Sequence, residues 1–167
     1  AIQEFNSQTM GKHNSDYAHV LVPVSGGKAD SHALKIVSRL IAPKEASVTA
    51  VFVIEVAQSL PLDAELPDEI ARGEQALEIA GNAARTYCES KADFFSTDLL
   101  QARAAGPAIV DEAIERHCDL IVMTSSCTSQ HGVKGVSETV KYVLKNAPCE
   151  VMVLNVPQPN LEMEPIK

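Results

Sequence analysis

The sequence predicts an α/β protein of Rossmann-like class: a five-stranded parallel sheet covered by helices on both faces. Two observations carry this. Stretches such as His19–Val24, Ser47–Val56 and Asp119–Met123 are apolar without the in-out alternation of a half-solvated strand, so both faces of each strand must be buried. The segments between them repeat apolar residues at helical spacing, and strands that alternate with helices pair in parallel.

His19 to Val24 is the first strand, Ser25-Gly26-Gly27 a turn, and Asp30 or Ser31 the N-cap of the first helix. Ala33, Ile36, Val37, Leu40 and Ile41 form that helix's apolar stripe, and Pro43 marks its stop. Ser47 to Val56 is the second strand. After a loop punctuated by Pro61 and Pro67, Asp68 and Glu69 place carboxylates in the first turn of a helix, where the dipole favours them. This helix is expected to reach about Lys91, with Ile70, Gly73, Leu77, Ala80, Ala84 and Tyr87 inward; the small residues allow a close approach to the sheet. Phe94 to Gln101 is the third strand. Gly106-Pro107 opens the third helix, because proline lacks only a donor that a first turn leaves unpaired anyway, and Ile109, Val110, Ala113 and Ile114 face inward. Asp119 to Met123 is the fourth strand. A helix with Val140, Val143 and Leu144 inward leads to the stop at Pro148, and Glu150 to Leu154 is the fifth strand.

There is no internal repeat, and 10–156 reads as one domain. Residues 1–9, with Glu4-Phe5-Asn6-Ser7, resemble an expression-tag remnant, and 157–167 read as a Pro-containing acidic tail.

Composition excludes several partners. A formal charge of −8 and a pI near 5.1 disfavour nucleic acid and anionic membrane surfaces, which attract clustered Lys and Arg. No apolar run is long enough to span a bilayer, so no direct membrane insertion is expected. Cys88, Cys118, Cys127 and Cys149 form no Cys-x-x-Cys pair, which argues against a metal site or a thioredoxin-like motif and for a reducing cytoplasm.

His19-Val-Leu-Val-Pro-Val24, Asp119-Leu-Ile-Val-Met123 and Lys141-Tyr-Val-Leu-Lys-Asn-Ala-Pro-Cys149 followed by Glu150-Val-Met-Val-Leu154 together resemble the universal stress protein family. The resemblance implies an adenine nucleotide alpha hydrolase-like fold with strand order 3-2-1-4-5 and a cleft beside the first and fourth strands. In the family's ATP-binding branch the fourth strand is followed by a glycine, two residues, a second glycine, nine residues, then Gly-Ser or Gly-Thr. Those positions fall here on Thr124, Cys127 and Ser137-Glu138, and none is glycine. A side chain forced into the left-handed conformation costs roughly 1–2 kcal/mol. A Glu138 carboxylate about 5 Å from a phosphate would repel it by about 3 kcal/mol at an effective dielectric of about 20.

The resemblance also places Ser25 where ATP-binding relatives carry an acidic residue against adenine, and Val53 at an apolar adenine-side contact. The reading is therefore a dimeric regulatory domain, not an enzyme, with no cofactor expected and no ATP binding of the usual kind. The alternatives are a regulatory module of a membrane transporter, or an adenine-nucleotide sensor, for ATP or AMP, using a rearranged loop, with Ser25, Val53, Met123, Lys134 and Ser137 as contacts. In the sensor Ser129-Gln-His-Gly-Val-Lys-Gly135 would bring Lys134 to a phosphate and His131 to a base or ribose. A solvated loop explains the same residues.

Cys127, expected in an exposed loop before a helix, is a candidate redox-responsive thiol. Ser25, Asp30 and His32 are the residue types of a hydrolase triad, but their crowding at a turn fits a helix cap better. The family's usual dimer would form through Val151, Met152, Val153 and Leu154. Ser59-Leu-Pro-Leu-Asp-Ala-Glu-Leu-Pro67 is similar to a subgroup that includes domains fused to membrane transporters, which implies a transporter or other protein partner. A Pro-stiffened surface loop accounts for the segment equally.

Overall fold

The computed structural model describes residues 17–42, 45–88, 95–125, 129–130, 133–134 and 136–156. The elements run β1 (His19–Pro23), α1 (Ala29–Leu40), β2 (Ser47–Glu55), α2 (Pro67–Tyr87), β3 (Phe95–Ala102), α3 (Ala105–Glu115) and β4 (Leu120–Ser125). There follow β5 (Ser129–Gln130), β6 (Val133–Lys134), α4 (Glu138–Asn146) and β7 (Glu150–Asn155). The main sheet is parallel throughout, in the order β3-β2-β1-β4-β7, as expected for 3-2-1-4-5.

Uninterrupted apolar runs bury both faces of the central strands, as the sequence requires. On one face Val20, Val22, Leu120 and Val122 pack against Leu34 and Val37 of α1 and Ala76, Leu77 and Ala80 of α2. On the other, Leu21, Val51, Ile121 and Met123 meet Ile109, Val110 and Ala113 of α3 and Val140 and Val143 of α4. Gly73 brings α2 so close that an added Cβ would lie 2.5 Å from Leu99 Cδ1 and 2.8 Å from Phe52 Cδ1. At the amino ends of the central strands, the Asp119 carboxylate accepts the amides of Ala18 (2.8 Å) and His19 (2.9 Å), clasping β1 to β4 across the middle of the sheet.

Several details differ from expectation. Neither Asp30 nor Ser31 caps α1: Lys28 holds the N-cap position without a side-chain bond, and Asp30 lies inside the first turn, where its carboxylate reaches back to the preceding turn. α2 ends at Tyr87, before the expected Lys91, and Tyr87 is exposed, its ring under the ammonium of Lys35 at 5.9 Å. Ile114 and Leu144 are also exposed. Ile114 sits in the last turn of α3, and on the short α4 Val140 and Val143 alone make the buried stripe, leaving Leu144 on its flank.

β4 runs two residues past Met123, because Thr124 and Ser125 still pair with Leu154 and Asn155. In the segment expected to be a loop, β5 and β6 form a short antiparallel pair. Phe94, Cys127, His131 and the segments 1–9 and 157–167 lie outside the described residues.

Candidate functional site

Strand order reverses beside β1, where successive crossovers leave in opposite directions and open a crevice at the carboxyl ends of the strands. A cavity of about 320 Å³ lies there. Val24, Val51, Val53, Ile109, Met123 and Val140 form its apolar wall, and Ser25, Thr124, Ser137 and Thr139 supply hydroxyls. Among the described residues no Lys, Arg or His lines it.

Four backbone amides around this crevice are answered by the chain's own oxygens. Asp30 Oδ2 accepts from the amides of Ser25 (3.1 Å) and Gly26 (2.7 Å), the latter held at φ 86°, a conformation suited to glycine. Asp30 is 2% exposed, and its other oxygen, Oδ1, is buried without a hydrogen-bond partner. Burial raises its pKa, and the amides of Gly26, Ser25 and Gly27 pull it back in part. At α3, where Ala104 has no side chain able to cap, Glu55 Oε1 from the end of β2 accepts the amide of Ala105 at 2.8 Å. At α4 the Ser137 hydroxyl caps the helix, accepting the amide of Val140 at 3.3 Å. The amides of Ala105 and Val140 are donors that an anion at a helix N-terminus would otherwise seek, and those of Ser25 and Gly26 belong to the turn that precedes α1.

Ser25, Val53, Met123, Thr124 and Ser137, all named from sequence, line this one cavity. Glu138 does not. Its side chain is 88% exposed, bonds Lys141 Nζ at 2.6 Å, and borders a neighbouring groove of about 630 Å³ between α3 and α4. The repulsion expected of it is weakened by this pairing and by solvent. The strain expected at Thr124 and Ser137 is absent as well: Thr124 continues β4, Ser137 has φ −60°, and the only described non-glycine residue with positive φ is His117.

Lys134 belongs to β6 by its backbone. The Ser25, Asp30 and His32 triad is not supported, since the Asp30 carboxylate bonds main-chain amides and His32 is exposed on α1. Sequence reasoning missed Thr139 and the role of Glu55. The signal for Glu55 was a helix start at Ala104-Ala105 with no local cap, which calls for an acceptor from elsewhere in the chain.

Fold and crevice together define a doubly wound α/β domain with a cleft at its switch point. The model of the universal stress protein family matches residues 16–155, and the chain belongs to that family. It is similar to the universal stress protein UspA from Lactobacillus plantarum, at 29% identity over 84% of this chain and 99% of that one, with a TM-score of 0.59. It also resembles the universal stress protein from Archaeoglobus fulgidus in complex with dAMP, at 17% identity over 82% and 97% of the two chains, TM-score 0.61. A third similar fold is a universal stress protein family protein from Arabidopsis thaliana with AMP bound, at 15% identity over 89% and 96%, TM-score 0.52. No curated protein matches significantly.

Proposed function

We propose that this is a regulatory universal stress protein domain, not an enzyme, whose cleft accepts an adenine-type ligand on its apolar wall without holding ATP in the family's usual way. One observation carries the reading: four amides bordering the crevice, those of Ser25, Gly26, Ala105 and Val140, are bonded to Asp30, Glu55 and Ser137, and no cationic side chain lines the cavity among the described residues. A base can lie between Val53, Met123 and Val140 and bond hydroxyls of Ser25 or Thr124. A triphosphate meets no counter-charge there among the described residues, and four of the amides it would seek are already bonded.

The apolar wall and the nucleoside monophosphates bound to the Archaeoglobus and Arabidopsis proteins support the adenine-type ligand. The reading includes a cytoplasmic homodimer formed through β7, with a transporter or other protein as the regulated partner. No described helix is long and apolar enough to cross a membrane.

Calorimetric titration with ATP, AMP and adenosine tests the proposal. Adenosine and AMP should bind at least as tightly as ATP, ATP should show no saturation at micromolar concentrations, and hydrolysis should be undetectable. A low-micromolar ATP dissociation constant would overturn it.

A further inference from the structure

Cys118 and Cys149 lie at the end of the sheet opposite the cleft, just before β4 and β7. Those strands pair with Leu120 opposite Glu150. Continued one residue back, the register sets Asp119 opposite Cys149, with Cys118 next to Asp119 in the chain. Cys118 is thus diagonal to Cys149: with adjacent strands about 4.8 Å apart and a rise of about 3.3 Å per residue, the two Cα atoms fall roughly 6 Å apart, within the range of about 4.4–6.8 Å that a disulfide requires. Both thiols are free and partly buried, and both pack on the same hydrophobic cluster, on the face covered by α3 and α4. They are also close enough for the charge of Cys149 to act on Cys118.

We propose that Cys118 and Cys149 are a redox modification site, forming a reversible intrachain disulfide with a small-molecule disulfide such as oxidised glutathione as the oxidant. One protein thiolate attacks a glutathione sulfur, breaking the S–S bond and releasing one glutathione thiolate. The second protein thiolate then attacks the protein sulfur of the mixed disulfide and releases the other. The two protein thiols lose two electrons and two protons in total, and the products are the protein disulfide and two reduced glutathiones. The bridge ties the edge strand β7 to β4 and closes the segment that carries Met123, Thr124 and Ser137, one wall of the cleft.

The environment sets the pace of this reaction. Burial raises the Cys118 thiol to about 11; the Cys149 charge, Asp119 and Glu112 add to the rise, and Arg116 opposes it. Burial raises Cys149 too, with Asp119 and Glu150 adding to it. The pair is therefore slow to react at neutral pH, and its rate should rise by about tenfold per pH unit as the thiolate fraction grows.

The test is to incubate the folded full chain with oxidised glutathione at about pH 8.5, alkylate the remaining thiols, digest, and map the peptides by mass spectrometry. The expected product is a linked pair of peptides containing Cys118 and Cys149, lighter by two hydrogens than the separate peptides and parted by reductant. In Cys118→Ser or Cys149→Ser the link should vanish and the remaining thiol should carry glutathione. The proposal is overturned if the native protein yields both cysteines alkylated, each carrying its own glutathione, or linked instead to Cys88 or Cys127. Should a serine variant fail to fold, the unsubstituted chain still decides: the Cys118–Cys149 link should dominate under native conditions and lose that dominance when oxidation is carried out in denaturant.

Discussion

Asp30 shows how a residue can be placed correctly by sequence and still be misassigned. Its position at the start of α1 suggested a cap, yet its carboxylate points back to the amides of Ser25 and Gly26, a path set by the turn's three-dimensional course and not by spacing. Because burial raises its pKa above the ordinary 3.8, Asp30 favours the folded state most when protonated. That contribution is full below the unfolded value and is lost as pH rises through the raised folded value. Urea unfolding across this window should show the unsubstituted protein losing stability with rising pH relative to Asp30→Asn. Parallel profiles would show that the carboxyl group does not titrate in this way. Asp30→Ala, which leaves both amides without their acceptor, should cost about 1–3 kcal/mol at neutral pH. Glu138 teaches the complementary lesson: its charge was legible, but its outward direction and its pairing with Lys141 were not.

At the scale of elements, strands were the most legible, since a parallel sheet demands apolar residues on both faces and such runs are visible in a single sequence. Helix interiors were legible and helix ends were not: Tyr87 and Ile114 fall in last turns that project beyond the buried surface. The small residues of α2 were read as allowing close approach, and Gly73 meets that description. Gly73→Ala should gain about 1 kcal/mol in helix propensity but lose more to overpacking against Leu99 and Phe52, which typically costs about 1–3 kcal/mol. Gly81 on the same helix is the control, for an added Cβ there meets nothing nearer than 3.8 Å. Gly81→Ala should therefore raise the melting temperature and Gly73→Ala lower it. The reverse order would mean that the packing of α2 on β2 and β3 yields more readily than these distances imply.

For the whole molecule, the two edges of the sheet differ. β3 exposes Ser96 and Thr97, and its Asp98 is paired with Arg116, polar features that discourage edge-to-edge pairing. β7 carries Val151, Met152, Val153 and Leu154 in succession, each only partly buried in the single chain and hydrogen-bonded on one side to β4. A symmetric dimer through β7 would cover that edge, so Val153→Lys should shift light scattering from dimer to monomer or aggregate. A monomeric unsubstituted protein would refute this assembly. One further consequence follows from the cavity wall, because Val51, Ile109, Met123 and Val140 also belong to the core beneath α3 and α4. Ligand occupancy and the cohesion of that half of the protein are thus coupled through the same side chains. Any molecule that enters the cleft and does not bind the unfolded chain must raise the unfolding temperature, by the equivalent of about 2.7 kcal/mol at a concentration one hundred times its dissociation constant. The protein's own melting curve can therefore report its natural ligand before that ligand has been identified.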